Sequence, residues 1–184
     1  MSPRGLCLAV ALVALPLPAT AGVVVLGSGN ARMCYLAAES SVLPRSEAMQ
    51  RCDDAIAEEG GNLERLVSTH VNRGILRLRR GDTNGAMRDF DEATRLNPAE
   101  PEAYLNRGNV LLRDEQVAQA IAQFDSAIER QTRRPALAHY GRAIAYEESG
   151  NLRAAYNDYR RASQLAPGWE VPRAELTRFR MVRN

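Results

Sequence analysis

A 34-residue period organises more than half of this chain. Three windows, 67–100, 101–134 and 136–169, each contain 34 residues, and only Pro135 separates the last two. A period of this length is typical of stacked helical hairpins, in which each hairpin buries its apolar face against its neighbours. The repetition therefore predicts an all-α fold built from repeated hairpins.

The windows share small residues at fixed positions and one large aromatic residue. Small residues allow two helix axes to approach closely, and an aromatic ring can fill the space between neighbouring hairpins. Counted from the start of each window, the shared residues are Gly74, Gly108 and Ala143 (eighth), Ala86, Ala120 and Ala155 (twentieth), Phe90, Phe124 and Tyr159 (twenty-fourth), and Ala93, Ala127 and Ala162 (twenty-seventh). This pattern resembles the tetratricopeptide repeat (TPR) family, which implies an α-solenoid of about three TPR hairpins over residues 63–169.

Local signals place the helices. Pro101 and Pro135 stand where a first helical residue belongs, because the missing N–H of proline has no partner to lose there. Gly81 and Gly150 mark turns between helices, and each is followed by a side chain that can cap the next helix. We predict helices at 63–79, 83–96, 101–114, 116–131, 136–148 and 151–165. The middle repeat departs from the family, with Glu115 in place of the turn glycine and Thr132 in place of the closing proline.

The first 21 residues have the order of a secretory signal peptide. Arg4 precedes an apolar run, two prolines and the small-residue segment Ala19-Thr20-Ala21. Cleavage after Ala21 predicts a secreted protein, in the bacterial periplasm, with no membrane insertion afterwards. The alternative is an uncleaved membrane anchor, since residues 23–26 extend the apolar stretch, but the prolines and the short apolar core favour cleavage.

Removal of this segment leaves two cysteines, Cys34 and Cys52, in a chain bound for an oxidising compartment. We predict a disulfide between them, and the alternative is two unpaired buried cysteines. Ala48, Cys52 and Ala55 also follow the spacing of a fourth, degenerate repeat. Residues 22–62 are therefore predicted to form an N-terminal cap hairpin whose two helices the disulfide joins.

The other end of the array also requires a cap, because its last apolar face must be covered. Leu176, Phe179 and Val182 recur every third residue among several arginines. The spacing predicts a capping helix over 170–184. The alternative is a basic tail that binds an acidic partner.

Composition excludes several classes of function. All 24 basic side chains other than histidine are arginine, so lysine-based nucleophilic or Schiff-base chemistry is excluded. The net charge of +2 gives no electrostatic case for nucleic-acid binding. The two histidines, His70 and His139, occupy the same repeat position, which indicates a packing role, and no pair of histidines or cysteines has the spacing of a metal site. We predict no enzymatic activity, no cofactor and no metal.

An arginine occupies the seventh position of every window, as Arg73, Arg107 and Arg142. Several aspartates lie near the aromatic position on the second helices: Asp89, Asp91, Asp125 and Asp158. One interpretation is a ladder of partly buried arginine–aspartate pairs that fixes how the hairpins stack. The other is that some guanidinium groups reach into the groove and bind a carboxylate ligand.

The family resemblance implies a protein-binding groove lined by the first helix of each repeat. Candidate groove residues are Val71, Asn72, Ile75, Leu105, Asn106, Asn109, Arg113, Tyr140 and Ile144. The implied function is a non-catalytic adaptor that binds a peptide segment of another protein, a cell-envelope component. Two alternatives stay open: these side chains form only a solvated inner face, or the protein is a structural homo-oligomer without a peptide ligand.

Overall fold

The computed structural model describes residues 29–40, 46–58 and 61–179, and the predicted signal peptide lies outside these residues. All regular secondary structure in the described part is helical. The helices are α1 (Gly29–Glu39), α2 (Ser46–Glu58), α3 (Leu63–Arg79), α4 (Thr83–Leu96), α5 (Pro101–Arg113), α6 (Val117–Glu129), α7 (Pro135–Glu148), α8 (Leu152–Leu165) and α9 (Glu170–Leu176).

Consecutive helices pair into four antiparallel hairpins, and α9 follows the last of them. Each hairpin packs on the next: α1 and α2 both contact α3, α4 contacts α5, and α6 contacts α7. The first helices also contact each other along the array, α3 with α5 and α5 with α7. The predicted α-solenoid with a degenerate N-terminal hairpin is confirmed, and the predicted helix ends agree with the observed ones to within two residues.

The turns within the last three hairpins share one backbone conformation. Gly81 and Gly150 have φ angles of +84° and +80°, in the left-handed region that favours glycine. Glu115 has the same role in the middle hairpin with φ of 57°. The departure of the middle repeat from the family therefore leaves the turn geometry unchanged and places a glutamate in a conformation that a side chain disfavours.

The end of the middle hairpin uses a buried carboxylate where the other two repeats have a proline. Glu102, at the start of α5, accepts hydrogen bonds from the Thr132 hydroxyl (2.9 Å) and from the Arg133 backbone N–H (2.7 Å). Thr132 is itself buried. These bonds hold the segment after α6 against α5 without the rigidity of a proline.

The aromatic residue of each repeat is buried between helices, as predicted. Phe90 and Phe124 have no exposed surface, and Tyr159 is 1% exposed. A Cβ added to Gly108 or Gly141 would lie 2.7 Å or 2.6 Å from the Phe124 ring. Phe124 therefore occupies space that glycine leaves open on both α5 and α7, which is the physical reason for small residues at these positions.

The Gly141→Ala variant is expected to lower the free energy of unfolding by about 1–2 kcal/mol, because the added methyl group displaces the buried Phe124 ring. Urea unfolding followed by circular dichroism measures this change. Gly168→Ala, in the turn before α9, is the control for an added methyl group that contacts nothing, since a Cβ there meets no atom within 4 Å. Alanine is the better helix former by about 1 kcal/mol. Without a packing cost the variant would gain this amount, so a Gly141→Ala protein about 1 kcal/mol more stable than the wild type would contradict tight packing around Phe124.

The N-terminal hairpin is joined to the array by covalent and polar contacts. Cys34 and Cys52 form a disulfide between α1 and α2, which confirms the predicted pairing. Both cysteines are buried in one apolar cluster with Val67 and Val71 of α3. The Arg79 guanidinium donates to the carbonyl oxygens of Ala37, Ala38 and Ser40 and so caps the C-terminal end of α1 from α3.

The C-terminal helix is shorter than predicted. It ends at Leu176, and the segment that follows is described only to Phe179, so Val182 lies outside the described residues. Leu176 and Phe179 pack against the buried cluster that contains Tyr159, which covers the last hairpin as expected of a cap. Arg178 is bound to Glu147 of α7 and is therefore part of the packed end of the array.

Candidate functional site

The seventh-position arginines connect neighbouring hairpins. Arg73 donates to Asp89 of its own hairpin and, at 2.7 Å, to Asp53 of the preceding one. Arg142 does the same with Asp158 (2.6 Å) and Asp125 (2.5 Å). Each guanidinium thus bridges the second helices of two neighbouring hairpins, which confirms the ladder interpretation at the first and third repeats. The guanidinium groups of Arg73 and Arg142 are therefore already bound to carboxylates of the chain itself.

Each of these two arginines belongs to a buried polar cluster centred on an aspartate. Asp89 accepts hydrogen bonds from His70 Nδ1 at 3.1 Å and from the Arg77 guanidinium at 2.7 Å. Asp158 accepts one from His139 Nδ1 at 2.8 Å. Burial alone would raise the pKa of Asp89, but hydrogen bonds from His70 and Arg73 outweigh it, so its pKa lies below the ordinary value. The pKa of Asp158 is lowered in the same way by Arg142 and His139. The histidines therefore act as structural donors to aspartates.

The middle repeat lacks this aspartate. Gln123 stands at the position of Asp89 and Asp158, and Arg107 makes only longer contacts, to Asp91 at 3.3 Å and Thr94 at 3.4 Å. Arg107 Nε and Gln123 Oε1 are both buried and without a hydrogen-bond partner. The central junction is therefore the weakest of the three polar junctions.

The Gln123→Asp variant is expected to raise the free energy of unfolding by about 1 kcal/mol at neutral pH, because a carboxylate there can pair with the partly buried Arg107. Chemical unfolding measures the gain. Gln123→Asn is the control, since it shortens the side chain equally without adding charge. The gain should disappear when acid protonates the carboxylate. Equal stability of the two variants at pH 7 would contradict the ladder at this junction.

Five of the nine candidate groove residues do not face a groove. Val71, Asn72, Ile75, Leu105 and Asn106 each have no exposed surface. Val71 and Ile75 lie in the apolar cluster that α1 helps to form, because the cap hairpin covers this face of α3. Leu105 packs with residues of α7, and the Asn106 amide donates to the Glu102 carbonyl oxygen at 2.8 Å. The expectation that these five side chains are accessible is wrong, and they serve packing between hairpins.

The other four candidates remain at least partly accessible. Arg113 is exposed, and Asn109, Tyr140 and Ile144 are half-buried. Asn109 and Arg113 belong to α5, and Tyr140 and Ile144 belong to the adjacent α7. We call these four residues, together with the exposed Glu148 of α7, the inner surface.

Tyr140 and Ile144 line one open cleft of about 310 Å³, which we call the C-terminal cleft. The other lining residues come from α7, α8 and the segment around α9: Glu147, Glu148, Tyr159, Glu175 and Arg178. The Tyr140 ring lies 5.6 Å from the Tyr159 ring and 4.8 Å from the Trp169 ring. One wall of the cleft is therefore aromatic.

A charged network closes the other side of the cleft. Arg178 donates two hydrogen bonds to Glu147, at 2.8 Å and 2.9 Å, and one to Glu175 at 2.7 Å. The Tyr159 hydroxyl donates to Glu147 at 2.8 Å. The bonds from Arg178 lower the pKa of Glu147, so this carboxylate is charged at neutral pH.

The sequence did not predict this network or the contact of Trp169 with Tyr140. The sequence predicted that a capping helix covers the last hairpin, but it carries no signal that pairs Arg178 of this segment with Glu147 of α7. Only the packing of α9 on the last hairpin makes these residues neighbours.

Two further types of site are not found in the described residues. No group of three or more His, Cys, Asp or Glu side chains there is arranged to hold a metal ion. Among the same residues, no helix is long and apolar enough to cross a membrane.

Comparison with known proteins agrees with the architecture. The tetratricopeptide repeat family model matches residues 71–132 and 108–168, which together cover more than half of the chain. A human protein, Tetratricopeptide repeat protein 6, is 36% identical over 59 residues, which are 32% of this chain and 11% of that protein. The chain therefore spans about a tenth of the length of this relative.

Solved structures with the same fold include two bacterial proteins. MamA (residues 41 to end) from Desulfovibrio magneticus RS-1 superposes with a TM-score of 0.62 at 22% identity, covering 81% of this chain and 82% of MamA. PilW, described as a widely conserved type IV pilus biogenesis factor, superposes with a TM-score of 0.60 at 20% identity, covering 71% of this chain and 59% of PilW. At these identities the likeness concerns the fold.

Proposed function

The chain belongs to the tetratricopeptide repeat family, and on that premise we propose that it is a periplasmic adaptor that binds a segment of a cell-envelope partner on its inner surface. Repeats of this family are non-catalytic scaffolds for protein–protein interaction, so protein binding is the function class of the chain. The location, the partner and the binding surface are the parts that we propose.

The observation that carries the proposal is the C-terminal cleft. Tyr140 and Ile144 present apolar surface at its mouth, and Asn109 and Arg113 continue the inner surface onto α5. An amide and a guanidinium next to apolar side chains can bind both the backbone and the side chains of a peptide. A short segment of another protein matches this surface better than a small molecule does, because the cleft is open and shallow.

Three observations support a location outside the cytoplasm. The first is that the N-terminal residues have the order of a signal peptide. The second is the disulfide between Cys34 and Cys52, since disulfides persist mainly in oxidising compartments. The third comes from a protein of the same fold. PilW, which has the same fold, is by its description a factor in the biogenesis of type IV pili. A partner in the cell envelope follows from this location.

Photo-crosslinking in the native envelope fraction tests the proposal. A photo-reactive residue replaces Tyr140 or Asn109, and the same residue at Leu152, 55% exposed at the start of α8, is the control. Amine-reactive reagents are unsuitable because the chain contains no lysine. We expect both inner-surface probes to capture the same protein, the control probe to miss it, and Ile144→Arg to abolish capture. Equal capture at all three sites, or no capture, would contradict the proposal.

A structural homo-oligomer is the second candidate, because α1 exposes apolar side chains. Met33 is 51% exposed and Leu36 is 46% exposed on a helix at the end of the array. Sedimentation that shows a mass dependent on concentration, lost in a Met33→Glu, Leu36→Glu double variant, would favour this candidate. A constant monomeric mass would remove it.

A further inference from the structure

The C-terminal cleft carries an excess of negative charge. Glu147, Glu148 and Glu175 line it, and Arg178 is the one cation among the described residues that line it. Arg178 is bound to Glu147 and Glu175, whereas Glu148 is exposed and forms no hydrogen bond or ion pair with the described residues. One guanidinium therefore neutralises one of three carboxylates, and the rim of the cleft attracts a further cation.

Aromatic residues are concentrated at the same end of the molecule. Of the ten aromatic residues in the chain, six lie between α7 and Phe179: Tyr140, Tyr146, Tyr156, Tyr159, Trp169 and Phe179. The rings of Tyr140, Tyr159 and Phe179 form a continuous row, with centroid distances of 5.6 Å and 5.8 Å. Aromatic faces next to carboxylates are a favourable environment for Arg and Lys side chains, which combine a cation with an apolar stem.

The molecule already binds its own guanidinium groups in this environment. Arg178 lies 5.9 Å from the Phe179 ring centroid while it donates to two carboxylates, and Arg142 lies 5.8 Å from the Tyr146 ring centroid. Glu148, one residue after Glu147, also carries a carboxylate at the cleft. It forms no ion pair with an arginine of the described residues. The solvent-exposed rim therefore offers a carboxylate like those that bind Arg178, but without a bound guanidinium among the described residues.

From these contacts we infer that the C-terminal cleft binds a partner segment in which an Arg or Lys is adjacent to an apolar residue. The cation pairs with Glu148 at the rim, and the apolar side chain lies against Tyr140 and Ile144. An acidic segment is disfavoured because it would meet three carboxylates. This inference rests on the proposed adaptor function and specifies the chemistry of the ligand.

Selection from a displayed library of random peptides of about nine residues tests the inference. The wild-type protein, Glu148→Gln and Glu129→Gln are used in parallel, and Glu129 is the matched control because it is exposed at the end of α6, away from the cleft. We expect peptides with Arg or Lys beside an aliphatic or aromatic residue to be enriched on the wild type and on Glu129→Gln, and to be depleted on Glu148→Gln. Enrichment of acidic peptides, or of no charge class, would overturn the inference.

Affinities of the selected peptide give the second readout. Trp169 is the only tryptophan in the sequence and its ring lies 4.8 Å from that of Tyr140, so we expect its fluorescence to change when a ligand contacts Tyr140 in the cleft. Replacing the basic residue of the peptide with Glu should weaken binding about tenfold, and Glu148→Gln should weaken it about 2–5-fold. Salt should weaken binding to the wild type more than to Glu148→Gln. Equal affinities for both peptides would reject the proposed role of charge.

The outcomes separate this inference from the proposed function. If the inner-surface probes capture a partner but the selected peptides show no preference for charge, the adaptor function is supported and the preference for a basic segment is rejected. Selection of basic peptides without a captured partner would keep the cleft specificity and remove the adaptor. A Trp169 signal that changes with protein concentration alone, and only when Glu148 is present, would identify a second copy as the occupant and overturn the inference.

Discussion

Replacement of Asp89 by asparagine is expected to lower the free energy of unfolding at pH 7 by about 3 kcal/mol, the lower end of the range for breaking a buried ion pair. The Asp89 side chain is 3% exposed and accepts bonds from His70, Arg73 and Arg77, so its replacement removes the carboxylate that both arginines share. The lower end applies because Arg73 retains Asp53 and Arg77 is 24% exposed. Urea unfolding at several pH values measures this effect.

The pH dependence has a definite sign. Because the pKa of Asp89 is lower in the folded protein than in the unfolded chain, its contribution to stability is complete above the unfolded pKa of about 4. The contribution is lost as the pH falls through the lower folded value. The wild type should therefore approach the stability of Asp89→Asn in acid, and the two should differ most at neutral pH.

Asp91→Asn is the matched control for this prediction. Asp91 lies two residues away on the same helix, its side chain is 52% exposed, and it makes one ion pair of 3.3 Å with Arg107. Its replacement should cost about 0.5 kcal/mol or less. Similar losses in the two variants would show that α4 responds to any change of charge and that Asp89 is not the centre of the junction.

Loss of the Cys34–Cys52 disulfide is expected to destabilise the N-terminal hairpin by about 3 kcal/mol. The bond joins residues 18 positions apart, and a closed loop of this length restricts the unfolded chain by about that amount. The Cys34→Ala, Cys52→Ala double variant and the wild type are compared by urea unfolding with and without reductant. Reductant should lower the stability of the wild type to that of the variant and leave the variant unchanged.

The position of the hairpin at the end of the array determines how this loss is observed. In a solenoid each unit contacts only its neighbours, so a weakened terminal hairpin opens before the rest. Amide hydrogen exchange in reductant should therefore increase first in α1 and α2, and next in α3, where Val71 and Ile75 lose their cover. Uniform loss of protection across α5 to α8 would contradict this order.

The agreement between sequence and structure is closest where packing is periodic. The glycine and alanine positions predicted contact between helices, and a Cβ at Gly74 or Gly108 would indeed lie 2.5 Å from the Phe90 ring or 2.7 Å from the Phe124 ring. Arginines at one repeat position, with aspartates near the aromatic position, predicted the ladder, because equivalent positions in a solenoid have equivalent neighbours. The exception became apparent only in the structure, where Arg107 and Gln123 of the middle repeat have buried atoms without a hydrogen-bond partner among the described residues.

The groove prediction failed where a neighbouring hairpin covers the inner face of a first helix. The fifth position is buried in Val71 and Leu105, because α1 covers α3 and α7 packs on α5, but it is half-buried in Tyr140, because α7 faces an open cleft. The family pattern assigns one role to all three residues. A residue at a given repeat position is accessible to solvent only if the neighbouring helices do not cover it. The repeat pattern does not say which helices cover the position at the two ends of the array.

The sequence by itself determined the period, the helices, and the aromatic and small positions at each junction, because these depend on local spacing and on contacts that recur in every repeat. It also predicted the pairing of the two cysteines, because only two remain after removal of the predicted signal peptide. Tertiary structure alone decided which inner side chains reach solvent and that Glu147, Glu175 and Arg178 meet beside Tyr140. The physical reason is that these contacts join segments of unequal kind at the ends of the array, where the last hairpin meets a seven-residue helix instead of another repeat.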